Sequence, residues 1–438
     1  MFHGRRKFSA EGDERSLNAE RKSRLSTVLL GLMVVLFTFA LVLYPKQGFE
    51  AGLSGMRLFW NTVFPSLLPF FILAEFMLGL GVVKGFGVLL EPLMRPLFGV
   101  PGVGAFALSM GLAAGYPMDA VITARFRSQK LCSRIEGERL LAFTNTADPL
   151  FMIGAVAVGM FKSPEIGGLL AIAHYISSFL VGVSFKLWGR KAEREEVHEA
   201  QTVPTSVPRG NIFARAFNEM IAARQADGRA FGQIMRDAVV ESMQTLIMIC
   251  GFIVFFAVLI DVLRISGMMA LIGAPIAFIY HIFGINGGLV PPTIAGALEI
   301  DVGAAQTAAV VAAPMVQKLA LVSAIIAWSG LSVHAQVASV LTQTDIRMRP
   351  YFLARVLHAG LAAVVTVVLY GLGMGHAGKV FANLTPMSSL ATAATGQSAW
   401  WHVLLTSLDT WVVFFAVLAV LSLLWWTVRK VRLIAWRV

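Results

Sequence analysis

The sequence predicts an all-α polytopic membrane protein made of two inverted-topology halves with discontinuous or re-entrant helices. Three observations point there. Charged residues make up only 14% of the 438 residues and hydrophobic ones 57%, whereas a soluble domain carries about 25% charge. Apolar runs of about 20 residues, the length a helix needs to cross roughly 30 Å of hydrocarbon, recur along the chain. Polar, helix-breaking interruptions of those runs fall in matching places of two halves.

The clearest runs are Leu25 to Leu43, Phe64 to Val83, Ala142 to Phe161, Gly167 to Leu187, Thr245 to Leu263, Leu319 to Leu341, Phe352 to Leu372 and Val403 to Val428, giving eight expected spans. None has the two-residue alternation of a barrel strand. The first run follows a basic segment, as in a signal peptide. It is long, however, and Tyr44-Pro45-Lys46 follows it without a small-x-small cleavage site, so it reads as an uncleaved span.

The net charge of +11 sits mainly in tails and between spans. That placement suits topology signals and anionic-lipid contacts rather than nucleic acid. Residues 1–24 hold seven Lys/Arg against four acidic residues, and Arg429, Lys430, Arg432 and Arg437 close the chain, so both ends are expected in the cytoplasm. Arg125 to Arg139 and the charged stretch from Lys186 to Arg236 belong on the same side. Gly373 to Ser398, with one lysine, belongs on the other. The expected organisation is a basic tail (1–24), a first span (25–44), a first membrane repeat (58–187), a cytoplasmic linker (188–237), a second repeat (238–372), a non-cytoplasmic loop (373–400), and a last span with its basic tail (401–438). Gly85 to Ala124, cut by prolines and glycines between two cytoplasmic flanks, fits only re-entrant or discontinuous segments.

The halves echo each other. Each opens on a plain apolar helix and reaches a small-residue segment with a carboxylate: AAGYPMDA from Ala113 to Ala120, and IAGALEID from Ile294 to Asp301. Each then has an interrupted helix: FTNTADPLF from Phe143 to Phe151, and WSGLSVHAQ from Trp328 to Gln336. Gly115 pairs with Gly296 at an offset of 181, and Asn145 with Ser329 at 184. Broken helices at corresponding positions mark a transporter's binding site, because backbone groups freed at bilayer depth must face protein, water or a ligand. Freed N-terminal ends carry partial positive charge, which suits an anion or a polar ring.

The candidate solute-binding set is therefore Gly115, Tyr116, Asp119, Asn145, Thr146 and Asp148 in the first half. Its counterpart is Gly296, Glu299, Asp301, Ser329, Ser332, His334 and Gln336 in the second. Ionisable groups at membrane depth default to functional hypotheses, and the alternative for each is a buried polar group satisfied by a neighbouring helix. Glu75 and His174 read as structural hydrogen-bond partners, Glu91 and Arg95 as a helix-surface pair, His3, His198 and His402 as incidental, and Trp400, Trp401, Trp425 and Trp426 as an interfacial belt. Cys132 and Cys250 form no metal pattern.

No metalloprotease or nucleotide-loop motif occurs. Gly330-Leu331-Ser332-Val333-His334 begins like a nucleophile elbow but lacks the final glycine. The expectation is a non-enzyme without cofactor or metal. Its partners are a small solute and the bilayer, and active transport would need a coupling proton, a cation or a partner protein. The sequence leaves the oligomeric state open.

EPLMRPLFGVPGVGAF (Glu91 to Phe106), Gly115-Tyr116-Pro117, ERLLAFTNTADPLFMIGAVAVGMF (Glu138 to Phe161) and WSGLSVHAQVASVLTQTDIRMRPYFLARVLHA (Trp328 to Ala359) resemble the YlbJ family of sporulation integral membrane proteins, also called SpoVV. The resemblance runs from about Trp60 to about Tyr370 and leaves the tails uncovered. The family belongs to the nucleoside-recognition, or gate, domain group, which is similar to part of the concentrative nucleoside transporters. The resemblance implies movement of dipicolinic acid, a flat pyridine dicarboxylate, across the mother-cell membrane around the forespore. Helix N-termini, Asn145, Thr146, Ser329 and Ser332 could hydrogen-bond such a solute. Nucleoside or nucleobase transport and a non-transporting sporulation scaffold are the competing readings.

Overall fold

The computed structural model describes residues 27–28, 31–190 and 212–374. The basic tail 1–24, the first part of the expected linker, nearly all of the loop from 373 and the last expected span lie outside the described residues. Among the described residues the protein is all α, with no strand, so the polytopic helical class holds. Four helices are long and apolar enough to cross a membrane: Glu165–Phe185, Phe231–Ile265, Met315–Leu341 and Met348–Gly371. They contain the expected runs from Gly167, Thr245, Leu319 and Phe352.

Met315–Leu341 is interrupted at Ser329, and three other expected spans are not straight helices. The first turns by 104° between Gly31–Leu43 (α1) and Pro45–Leu58 (α2), where Pro45 starts a new helix. The second, in Phe64–Gly79 (α3), turns by 86° into Val82–Phe98 (α4) at Gly81, whose φ of +76° no longer continues a helix. The run from Ala142 to Phe161 is two pieces. Arg134–Thr144 (α7) stops at Asn145, and a π-helix, Leu150–Met160, follows Pro149. Asn145 is extended, and proline cannot continue the ladder, so apolar character alone overstates this span.

The element order repeats. In the first half, α4 is followed by Gly104–Ala114 (α5), a break, Met118–Ser128 (α6), α7, a break, the π-helix and the long Glu165–Phe185 (α8). After Ile212–Asp227 (α9) and Phe231–Ile265 (α10), the second half runs Met268–Ile282 (α11), Val290–Leu298 (α12), a break, Ile300–Ala309 (α13), Met315–Trp328 (α14), a break, Gly330–Leu341 (α15) and the long Met348–Gly371 (α16). Left-handed glycines punctuate both halves in step: Gly81 with Gly267 and Gly99 with Gly284. The first breaks align Gly115 with Glu299, an offset of 184 and not the 181 expected for Gly115 with Gly296. The second breaks, Asn145 and Ser329, keep 184.

The chain divides into two compact units: Met1–Glu75 with Phe231–Lys318 and Ser329–Ser339, and Phe76–Ala230 with Leu319–Trp328 and Val340–Val438. In the first unit, α2 packs on α10 through glycines; a Cβ on Gly55 would lie 3.1 Å from the Val254 Cα. The tightest contact joins α12 to α13, where a Cβ on Gly303 would lie 2.1 Å from the Gly296 Cα. Small residues let helix backbones approach this closely in a membrane.

In the second unit, α9, which occupies part of the expected linker, packs on α4, with Ala216 and Met220 against Gly85. Charges tie the loops of this unit. Arg127 grips Asp345 through two bonds of 2.6 and 2.7 Å, and this holds the Asp345 carboxyl below the usual carboxylate range. Arg347 donates to Glu138 at 2.7 Å, and Trp188 donates to the same carboxylate at 2.8 Å. Glu91 and Arg95 form the expected pair, and Arg95 also reaches Glu136.

Two glycine substitutions of opposite sign test this packing. Gly303→Ala should destabilise by about 2 kcal/mol or more, since backbone stands where the methyl must go. Gly251→Ala, in the interior of α10 with nothing within 4 Å of the new carbon, should gain about 0.5–1 kcal/mol. Thermal unfolding in detergent reads both.

Candidate functional site

In the second unit, the first-half candidates converge on the two breaks. Gly111 lies so close to the second break that a Cβ there would meet the Thr144 carbonyl at 2.4 Å. A Cβ on Gly115 would meet Asp148 Oδ2 at 2.8 Å. Gly115 adopts φ +71°, and the Tyr116–Pro117 peptide after it is cis. Asp119 is fully buried in the first turn of α6 and accepts from Asn145 Nδ2 at 3.0 Å and Thr144 Oγ1 at 3.3 Å. Asp148 caps the π-helix, accepting from Phe151 N–H at 2.8 Å. The Tyr116 hydroxyl donates to the Ile326 carbonyl at 2.6 Å.

The second break opens the backbone, and side chains partner many of the freed groups. The Ala142 and Asn145 carbonyls accept from Arg355 Nη2 and Nη1, each at 2.5 Å. Phe143 O accepts from Ser178 at 2.6 Å, Thr144 O from Thr146 at 3.2 Å, and Ala147 O from Tyr175 at 3.1 Å. Ala147 N–H donates to His174 Nε2 at 3.1 Å. Asn145 Oδ1 accepts from the Tyr351 hydroxyl at 2.9 Å. Arg355 Nη1 also reaches the Ala327 carbonyl at 3.3 Å, so one guanidinium serves the C-terminal ends of α7 and α14. These two helices are counterparts in the repeat. A cation is favourable there because the last carbonyls of a helix carry partial negative charge.

In the first unit, the second-half candidates arrange themselves similarly. Glu299 ends α12, is extended, and caps α13 by accepting from Val302 N–H at 2.9 Å, with Asp301 in the same first turn. Ser329 and Gly330 are both left-handed, at φ +68° and +72°. For a serine this costs of order 1 kcal/mol or more. A Cβ on Gly330 would lie 3.0 Å from the Glu299 Cα, so the two breaks of this half touch as those of the first half do. His334 Nδ1 bonds the Gly330 carbonyl at 2.8 Å, and Gln336 donates to Ser332 at 3.4 Å. Gly296 lies under Gly303, as packing.

Three central residues escape sequence reasoning: Arg355, Tyr351 and His358. All are buried. Arg355 and His358 lie inside the apolar run from Phe352, and an ionisable residue at that depth is the available signal. Arg347 and Arg349 just before the run mask it by making Arg355 read as part of a basic flank. His174 has the structural role expected of it.

An all-α membrane protein with paired, broken helices is the class that fold and site define, and residues 60–187 match the Gate domain family, described as nucleoside recognition. The sporulation integral membrane protein YlbJ of Bacillus subtilis (strain 168) is 40% identical over 348 residues, which are 80% of this chain and 84% of that protein. The chain belongs to the YlbJ family. No solved structure matches.

Arg355→Met should destabilise the protein by about 3–5 kcal/mol, because it strips three carbonyls of a buried charged donor. Arg355→Lys should recover only part of this, since an ammonium lacks the planar fork. Equal unfolding temperatures for the wild type and Arg355→Met would refute the clamp.

Proposed function

We propose that this protein is a transporter that carries a small polar or anionic solute, dipicolinic acid during endospore formation, and that it is not an enzyme. What supports this reading is the doubled helix–break–helix order, with both breaks of each half in contact. Unbroken helices would satisfy their backbone at lower cost in lipid, so two matched sets of breaks ask for a function. The half-helix C-termini of α7 and α14 are occupied by Arg355 and the helix starts after Asp148 and Glu299 are capped by those carboxylates, which leaves hydroxyls such as Ser332 for a carboxylate-bearing ring. The relative's name supports a sporulation role. In this reading the protein sits in the mother-cell membrane around the forespore, and the basic residues at both ends of the sequence support cytoplasmic termini. The partners in this reading are the solute and the bilayer, with a coupling proton or cation where transport is active.

Nucleoside transport is the second reading, and the description of the Gate family favours it. A scaffold without transport is the third. Reconstitution into liposomes separates them. Dipicolinate should enter saturably, a nucleoside such as uridine should not, and Ser332→Ala should cut dipicolinate flux at least about tenfold at unchanged protein amount, the effect of one lost hydrogen bond to a charged group. Flux of uridine alone would favour the second reading. Absence of either flux under every imposed gradient would leave the scaffold.

A further inference from the structure

Asp119 is fully buried in the second unit, and its bonded partners are a carboxamide and a hydroxyl rather than a cation. The helix-break order does not require an acid there. At the offset of 184 its counterpart is Gly303, which has no side chain and serves packing. Thr123, one turn further along α6, has Thr307 as its counterpart. Thr307 donates to the Gly303 carbonyl at 2.7 Å, whereas the buried Thr123 hydroxyl has no partner among the described residues. Residues four apart share a helix face, so an uncommitted hydroxyl stands on the face of α6 that carries the acid.

Counting protons around Asp119 gives two consistent arrangements. Thr144 has a single hydroxyl proton and two acceptors in reach, the Leu140 carbonyl at 2.9 Å and Asp119 Oδ2 at 3.3 Å. With that proton on the shorter bond, Asp119 Oδ2 and Thr144 Oγ1 hold a hydrogen bond only when the carboxyl is protonated and donates. With Asp119 ionised, Thr144 turns its proton from Leu140 to the carboxylate. Both forms keep the Asn145 Nδ2 donor on Oδ1 at 3.0 Å, and neither needs the backbone to move. Asn145 stands at the second break, where its carbonyl accepts from Arg355. An ionised carboxylate grips the Asn145 amide more firmly than a neutral one, because charge-assisted bonds are roughly twice as strong. The other ionisable groups are placed as follows. α6 packs on α5, which has none, and on α7, whose Arg134, Glu136, Glu138 and Arg139 lie toward its start. Arg125 and Arg127 end α6. Tyr116 and Asp148 belong to the breaks, and Tyr351 and Arg355 reach Asn145 from α16.

We propose that Asp119 is a reversible proton-binding site that holds the coupling proton and sets the grip on the helix break at Asn145. The proton comes from water and returns to it. Taking it up turns the carboxylate into a carboxylic acid and returns the Thr144 proton to the Leu140 carbonyl; releasing it reverses both changes. A protonated Asp119 also removes a negative charge that would repel a carboxylate-bearing solute. The proton site stands on this geometry alone, and its role in coupling rests on the transport reading.

Infrared difference spectroscopy of the full-length protein in nanodiscs, titrated from alkaline to acidic pH without solute, tests the site apart from flux. The wild type should gain the C=O stretch of a protonated, buried carboxyl, and Asp119→Asn should lack that band. Thr144→Val, which removes the acceptor of the acid's proton, should keep the band and move it to higher frequency. Amide hydrogen exchange, corrected for the intrinsic rate at each pH, reads the grip. Residues 145–148 should exchange roughly fivefold faster in the acid form, the difference between a charge-assisted and a neutral bond, and Asp119→Asn should show the faster value at both ends of the titration. Identical titration spectra for the wild type and Asp119→Asn, or protection at residues 145–148 that ignores pH in the wild type, overturns the proposal. Where Asp119→Asn is not recovered folded, Thr144→Val decides, and an unshifted band overturns it. A titrating Asp119 in a protein that shows no flux would keep the proton site and overturn its coupling role.

Discussion

A buried guanidinium holding two helix ends is the interaction on which the rest of the second unit depends. Breaking a helix at bilayer depth exposes carbonyls that lipid cannot satisfy. Arg355 resolves this for the ends of α7 and α14 together, and its charge is stabilised by the negative ends it covers. Asp119 stands one residue further off: Asn145 accepts from Arg355 through its main-chain carbonyl and donates to Asp119 through its side-chain amide, so the acid and the cation are linked through a neutral residue rather than paired directly. Removing the arginine would therefore loosen two helices and unbalance one carboxylate.

The buried carboxylates take a different role from the one their sequence context suggests. Asp148 and Glu299 each accept from a backbone N–H at the start of the following helix. They neutralise positive helix ends that would otherwise attract an anion. The breaks are thus largely self-satisfied, and a solute entering them has to compete with the protein's own side chains.

Much of this organisation was legible in the sequence. Hydropathy placed the long helices, and the Pro/Gly/Asn interruptions located both breaks in each half, because proline and glycine act locally and leave a local mark. Hydropathy failed where a run stays apolar while its backbone does not stay helical, as between Ala142 and Phe161. It also failed for Arg355, whose partners lie more than two hundred residues earlier at Ala142 and Asn145 and are main-chain atoms that any residue type could supply. The alignment of Gly115 with Glu299 was hidden because a glycine and a glutamate can end a helix equally well by different means.

The half-helices α5, α6 and α7 are each 11 residues long, about 16 Å at 1.5 Å per residue, roughly half the hydrocarbon thickness. A half-span of that size that starts at one face would end, with its polar junction, near the electrical midpoint of the bilayer. An ion leaving such a junction for either face crosses only about half of the membrane voltage, on the order of 1 kcal/mol per elementary charge at 100 mV. In the proposed transport cycle, binding from one side and release to the other would then divide the electrical work into two comparable steps, so that neither step bears the whole field.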